Sequence, residues 1–91
     1  MPRHKLSKNM NNYLDDLHKA EFGYYYGQEV LYPKPNPERV VSLLEKALLW
    51  SKYVNLEALA IYLGYETDDR IETREGCKSI IRENIKAWRN Q

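Results

Sequence analysis

The most apolar stretch of the chain, residues 36–53, reads NPERVVSLLEKALLWSKY. Asn36, Pro37 and Glu38 are typical of a helix start, because they supply a capping oxygen, a first residue that needs no hydrogen-bond acceptor, and an acid in the first turn. A helix is therefore predicted from Pro37 to about Tyr53. Its apolar positions extend beyond one stripe, so this central helix is predicted to contact neighbours on two sides and to carry the core. These positions are Val40, Val41, Leu43, Leu44, Ala47, Leu48, Leu49 and Trp50.

One helix is predicted on each side of the central helix. Before it, apolar residues at helical spacing predict a helix from Ser7 to Glu21. Three prolines in residues 33–37 then predict an extended connection. After the central helix, Asn55 is predicted to cap a helix from Leu56 to Leu63. That helix is predicted to stop at Gly64, where the chain turns left-handed.

A last helix is predicted near the end of the chain. Asp69 and Glu72 have the spacing of a capping pair, and Thr73 offers a second start, so the helix begins between them and runs to about Arg89. Gly76 is predicted to separate a short turn from the main part of this helix.

Length and pattern together predict an all-α fold, with residues 1–91 in one compact domain. The domain has four to five short helices, and its C-terminal half is helix-turn-helix-like. The short run from Glu29 to Tyr32 is the only strand candidate. Residues 1–5 are polar and are predicted to be disordered.

Charge is distributed unevenly along the chain, although the net charge is only +1. Residues 36–72 carry four basic and seven acidic groups, whereas residues 73–91 carry five and two. The cations of the last helix fall within about one third of its circumference, beside an apolar arc. This pattern is typical of a helix that contacts nucleic-acid phosphates, although a solvated helix face is its commoner origin. The candidate nucleic-acid contacts are Arg70, Arg74, Lys78, Arg82, Lys86 and Arg89.

The segment before the last helix contains a helix-turn-helix pattern. Residues 59–65 read LAIYLGY. Ala60 and Gly64 stand at its paired small positions, which let a short helix end in a tight turn close to the next helix. Ordinary helix ends carry the same spacing. In the motif, the following helix carries an apolar anchor residue at the position that Arg70 occupies in this chain. Asp68 and Asp69 precede it.

A longer likeness runs over roughly the C-terminal 55 residues. It comprises the central helix, the leucine- and alanine-rich helix that ends at Leu63 and Gly64, and a polar turn. A basic helix that begins with an acidic residue, Glu72, follows the turn. In this order the segment resembles the helix-turn-helix region of some phage small terminase subunits. The resemblance implies a phage or mobile-element source, recognition of viral DNA for packaging, and a ring-forming assembly.

An aromatic cluster lies within residues 22–32, where two glycines bracket three consecutive tyrosines. About half of its rings are expected to cover the central helix. At least one of the three consecutive tyrosines is expected to be exposed, because they cannot all point into one small core. Exposed tyrosines favour a protein partner or self-association, since they offer a large contact area at low entropic cost. The candidate protein contacts are Tyr24, Tyr25, Tyr26 and Tyr32.

Patterns for catalysis and metal binding are weak. His4, His18 and Cys77 lack metal-ligand spacing, and adjacent acids on a helix diverge instead of forming an acid–base pair. We therefore expect neither an enzyme nor a metal or cofactor, and we expect Cys77 to be buried as a small apolar residue. The single cysteine, and the lack of an apolar run suited to a signal peptide or a membrane span, predict a cytoplasmic protein.

Two functions stay open at this point. The first is a small non-enzymatic DNA-binding domain of helix-turn-helix type, whose partner is double-stranded DNA. The second is a protein-interaction module, such as an adaptor or an inhibitor, that uses the aromatic cluster. The pI of about 7.8 argues against strong nonspecific affinity for DNA, so the two hypotheses are almost equally supported.

Overall fold

The computed structural model describes residues 7–91, which form four α-helices and one 3-10 turn. The all-α prediction is confirmed: the described residues contain no strand, and the run 29–32 is irregular. The expectation for residues 1–5 lies outside the described part of the chain. The helices are α1 (Lys8–Phe22), α2 (Pro37–Ala47), α3 (Tyr53–Tyr62) and α4 (Arg74–Arg89), and the 3-10 turn is Asp69–Glu72.

The first helix is confirmed to within one residue at each end. The Ser7 side chain accepts a hydrogen bond from the Met10 N–H at 3.1 Å, which satisfies one of the free donors at the helix start. At the other end, Gly23 has a φ of 88° and donates its N–H to the Lys19 carbonyl at 2.7 Å. A glycine in this left-handed conformation is a common helix stop.

The central helix, α2, begins as predicted but ends early. Asn36 accepts a hydrogen bond from the Arg39 N–H at 3.0 Å, and Pro37 is the first helical residue. The predicted end near Tyr53 is wrong, because α2 stops at Ala47. The next three N–H groups donate to the carbonyls three residues back, at 3.1 to 3.2 Å, which tightens the chain into a turn. This turn leaves Leu49 86% exposed.

Trp50 ends this turn in contact with α1. Its ring lies 4.6 Å from the Tyr13 ring, centroid to centroid, in an edge-to-face arrangement. The hydroxyl of Tyr13 in turn donates to the Leu43 carbonyl of α2 at 2.6 Å. Burial raises the pKa of Tyr13, which keeps this hydroxyl protonated as a donor. The early end of α2 thus coincides with packing between two helices and not with a glycine or proline.

The third helix, α3, begins at Tyr53, before the predicted start at Asn55 and Leu56. Lys52 precedes it and makes no side-chain capping bond. The Tyr53 hydroxyl lies 3.0 Å from a Glu57 carboxylate oxygen and also contacts the Ile71 carbonyl, so this residue is fixed by side-chain contacts. The predicted left-handed turn after the helix is confirmed at Gly64, whose φ is 99°.

The last helix, α4, starts at Arg74 and is capped by Thr73, whose side chain accepts a hydrogen bond from the Gly76 N–H at 2.9 Å. The helix ends at Arg89, as predicted. The predicted break at Gly76 is wrong, because Gly76 lies inside the first turn of α4 and the chain is extended at Thr73 instead. Asp69 and Glu72 do not cap α4; they belong to the 3-10 turn, whose cap is Asp68.

The core is built from all four helices: α4 packs on α2 and on α3, and α1 packs on the same two helices from another side. The prediction that the central helix carries the core is confirmed by the burial of Val40, Leu43, Leu44 and Ala47. Leu49, predicted to widen its apolar face, is instead exposed. No helix within residues 7–91 combines the length and the apolar character needed to cross a bilayer. The largest fully buried side chains are Leu17, Leu44, Leu56, Leu59, Ile80, Ile81, Val40 and Cys77.

Candidate functional site

Four cations share the free face of α4. They recur every fourth residue, so successive side chains stand about 6 Å apart along the helix axis. On the adjoining arc of α4, Cys77, Ile80, Ile81 and Ile85 are buried, which fixes the helix against the core. Three of the four are exposed and Lys78 is half-buried. We name these four residues the cation row: Arg74, Lys78, Arg82 and Lys86.

Arg89 lies on the same helix but is not part of the row. Its guanidinium forms an ion pair with the Glu45 carboxylate of α2. The two partners lie 44 positions apart in the sequence, so their contact follows from the packing of α4 on α2. The charge of Arg89 is therefore already opposed within the domain.

Arg70 also lies apart from the row, in the 3-10 turn before α4. Its Nη2 and Nε atoms lie 2.8 and 3.1 Å from the carboxylate oxygens of Asp68, and its Nη1 contacts the Glu83 carboxylate. The guanidinium also lies 5.8 Å from the centroid of the Tyr65 ring. Hydrogen bonds from Arg70 lower the pKa of Asp68. Arg70 thus braces the turn against α4, in contrast to the outward-pointing cations of the row.

The connection between α3 and α4 is longer than a helix-turn-helix turn. It covers residues 63–73 and contains the 3-10 turn, whereas the motif ordinarily joins its helices by about three to four residues. Ala60 is buried and accepts a hydrogen bond from the Tyr65 N–H at 3.1 Å, and Gly64 is left-handed. The small-residue pair therefore makes a tight helix end, but α4 begins only after a second turn.

The aromatic residues lie mostly at the surface of the segment after α1. We name residues 23–32 the aromatic loop. Tyr26 and Tyr32 are 79% and 84% exposed, Tyr25 is exposed and Tyr24 is half-buried. The prediction of at least one exposed tyrosine is confirmed. The expectation that about half of the rings cover the central helix is wrong, because no ring of residues 22–32 packs against the buried cluster.

The chain geometry at Gly23 explains this outcome. A Cβ at this position would lie 2.3 Å from the Lys34 backbone nitrogen. The segment that leaves α1 and the segment that leads into α2 therefore pass close together. The Asn36 N–H also donates to the Ala20 carbonyl of α1 at 2.8 Å. The aromatic loop is thereby closed at its base, which leaves the rings of its three consecutive tyrosines against surface side chains of α1 and outside the buried cluster.

His18 is a residue of this region that the sequence analysis did not connect to the aromatic cluster. Its ring lies 4.6 Å from the ring of Phe22, 5.5 Å from that of Tyr24 and 5.6 Å from that of Tyr26, centroid to centroid. Its Nδ1 is 2.9 Å from the Tyr24 carbonyl oxygen. The spacing of four residues between His18 and Phe22 on a helix was the available signal.

The remaining polar contacts tie helices together. The Tyr62 hydroxyl of α3 donates to the Glu21 carboxylate of α1 at 2.9 Å. Burial raises the pKa of Glu21, and this hydrogen bond opposes the rise. Within residues 7–91, no group of His, Cys, Asp and Glu side chains is arranged to hold a metal ion. The described residues thus present two candidate binding surfaces, the cation row and the aromatic loop.

No family model, no curated protein and no solved structure gives a significant match to this chain. The resemblance of the C-terminal residues to small terminase subunits therefore stays a prediction. What the domain binds has to be inferred from its own side chains.

Proposed function

We propose that this protein is a small non-enzymatic DNA-binding domain, in which α4 takes the place of a recognition helix and the cation row contacts the phosphates of double-stranded DNA. The observation that carries the proposal is the separation of six candidate cations into two groups. Arg70 and Arg89 are held by carboxylates of the domain, whereas no carboxylate of residues 7–91 pairs with Arg74, Lys78 or the rest of the row.

The separation matters because of how cations bind DNA. A cation that replaces condensed counterions on the duplex releases them, and the entropy of release favours binding at low salt. An arginine already paired with a carboxylate would have to give up that partner first. The row should therefore supply the salt-dependent part of the affinity, and Arg70 and Arg89 should supply little of it.

Binding to a fluorescently labelled duplex over a series of salt concentrations tests the proposal. If all four cations contact phosphates, the plot of log affinity against log salt should have a slope of about −3.6, at about −0.9 for each phosphate. The double variant Lys78→Gln/Arg82→Gln should reduce this slope to about −1.8. Anisotropy of the labelled duplex gives both numbers.

A matched control removes the same charge elsewhere. Lys19 lies over the Tyr25 ring at 4.8 Å and Arg89 is paired with Glu45, so Lys19→Gln/Arg89→Gln should leave the slope unchanged. Equal losses in the two double variants would show that net charge, and not the row, attracts DNA. No binding of the unmodified chain at low salt would overturn the proposal.

The chemistry of Cys77 supports the cytoplasm as the place where the domain acts. It is the only cysteine of the chain, and it is buried in the core as a thiol. A protein without disulfides is typical of reducing compartments.

A second candidate function is supported by the exposure of the aromatic loop. Tyr26, Leu31 and Tyr32 all lie largely in solvent, and exposed apolar groups that are close in the chain are typical of protein-binding surfaces. On this hypothesis Tyr26→Ser/Tyr32→Ser should weaken self-association or capture of a protein partner, with little effect on folding. Sedimentation measures the first effect, and Val54→Ser, at another exposed apolar position, is the control.

A further inference from the structure

A cleft, apart from the cation row, lies where α1, the end of α2 and the start of α3 meet. It has a volume of about 580 Å³, within the range of small-molecule sites. Its apolar lining is Met10, Tyr13, Trp50 and the exposed Leu49, and its polar lining includes Lys46, Lys52 and Asn55. The cleft thus combines two aromatic rings with two ammonium groups.

The aromatic lining is held in place before any ligand arrives. The Tyr13 and Trp50 rings support each other edge to face, and the Tyr13 hydroxyl is fixed on the Leu43 carbonyl. A site whose rings are already positioned loses less conformational entropy on binding. A planar aromatic ligand group can therefore pack here at low cost.

The charged lining favours an anion. Lys46 and Lys52 are both exposed, and no carboxylate of the described residues pairs with either. No Asp or Glu of residues 7–91 lines the cleft, whose other polar side chains are those of Ser7, Asn9, Ser51 and Asn55. A doubly charged phosphate matches two ammonium groups, and the amides can donate to or accept from the heteroatoms of an aromatic ring.

We propose that this cleft binds a nucleotide, with the base packed against Trp50 and the phosphate between Lys46 and Lys52. The shared chemistry, an aromatic base that carries a phosphate, is supplied either by a free mononucleotide or by the unpaired end of a nucleic-acid strand. Stacking of bases on aromatic side chains beside cations is the general means of holding unpaired nucleotides.

Fluorescence of Trp50 tests the proposal directly. The chain has two tryptophans, so Trp88→Phe leaves Trp50 as the only indole emitter. Adenosine monophosphate should quench this emission saturably, whereas adenosine or inorganic phosphate alone should bind at least about tenfold more weakly. Saturable quenching by a single-stranded oligodeoxyadenosine but not by the mononucleotide would support the same site and identify the strand end as its source.

Variants at exposed positions separate this site from the cation row. Lys46→Gln/Lys52→Gln should weaken mononucleotide binding by about tenfold, because each exposed ammonium contributes a few-fold. Lys78→Gln/Arg82→Gln should leave mononucleotide binding unchanged, and the lysine pair at the cleft should leave the duplex salt slope unchanged. The proposal for the cleft and the proposal for the cation row can therefore be refuted independently of each other.

A measurement on the unmodified chain guards against an effect of Trp88→Phe on folding. In ¹H–¹⁵N correlation spectra, adenosine monophosphate should shift the Trp50 indole signal and the amide signals of residues 46–55. Absence of both the quenching and these shifts with the mononucleotide and with the oligodeoxyadenosine alike would overturn the proposal. Quenching that is insensitive to the lysine substitutions would overturn it as well, since the phosphate would then lie elsewhere.

Discussion

The backbone of Gly76, in the first turn of α4, lies directly against the backbone of Arg70 in the 3-10 turn before it. A Cβ at position 76 would stand 1.9 Å from the Arg70 carbonyl oxygen and 2.6 Å from its carbonyl carbon. Both neighbouring atoms belong to the backbone, so a side chain could be accepted only by moving the whole turn. The close approach also keeps Arg70 within reach of Glu83, which lies about two turns further along α4.

This contact reverses the usual effect of replacing a helical glycine. Gly→Ala in a helix interior ordinarily stabilises by about 1 kcal/mol. We expect Gly76→Ala to lower the free energy of unfolding instead, by about 1–3 kcal/mol, because the added methyl overpacks the turn. Urea unfolding followed by circular dichroism measures the change, and a stabilised variant would show that the turn is free to move away.

The centre of α2 should dominate the stability of the core. Leu44 is fully buried, and Leu44→Ala should lower the free energy of unfolding by about 2–5 kcal/mol through lost burial and the cavity left behind. Leu49→Ala, five residues later at an exposed position, should change it by less than about 0.5 kcal/mol. Thermal or urea unfolding compares the two, and similar losses would contradict the burial assigned to them.

The Asp68–Arg70 pair should give the stability an acid-dependent part. Arg70 lowers the pKa of Asp68 from its ordinary value of 3.8, so the folded state favours the ionised carboxylate. This contribution is complete above pH 3.8 and is lost as the pH falls through the lowered pKa of the folded protein. Asp68→Asn should therefore be less stable than the unmodified chain at neutral pH, and the difference should shrink in acid.

Urea titrations from neutral to acidic pH measure this difference. Asp69→Asn is the matched control, because Asp69 is exposed and forms no ion pair with the described residues. A difference for Asp68→Asn that is constant with pH would show that the carboxylate acts only as a hydrogen-bond acceptor.

Cys77 should react slowly with thiol reagents in the folded protein. Its side chain is inaccessible to solvent, and its Sγ lies 3.5 Å from the Ile71 carbonyl oxygen. Burial raises the pKa of the thiol, so the reactive thiolate is scarce as well as shielded. Reaction with Ellman's reagent should be slow in buffer and fast in denaturant. Fast reaction in buffer would mean that α4 separates readily from the core.

The sequence predicted well those elements whose ends are set by local chemistry. Ser7 and Thr73 cap their helices through their own side chains, and Gly23 and Gly64 mark turns that a glycine adopts easily. The end of α2 was not predictable in this way. Residues 38–63 contain neither glycine nor proline, and the chain turns where Trp50 reaches Tyr13 on another helix.

The positions of the cations in the candidate site could be predicted from the sequence, but the carboxylates with which they pair could not. The spacing of the cations in residues 74–89 placed them on one face. That spacing does not indicate which of them meet carboxylates, because Arg89 pairs with Glu45 on another helix and Arg70 with Glu83 across a turn. Such pairs depend on how helices cross. The same holds for the cleft at Trp50, whose lining comes from three helices.

The closure of the aromatic loop has a consequence for how this domain can change. Because Gly23 meets Lys34 at the base and the Asn36 N–H is bonded to Ala20, the residues between these anchor points lie outside the buried cluster, and it is Tyr24, Tyr25 and Tyr26 that contact side chains of α1. The entropic penalty for lengthening such a loop rises only slowly with its length. Descendants of this sequence, or designed libraries built on it, can therefore vary the exposed residues 28–32 in length and chemistry and present new contact surfaces on an inherited helical scaffold.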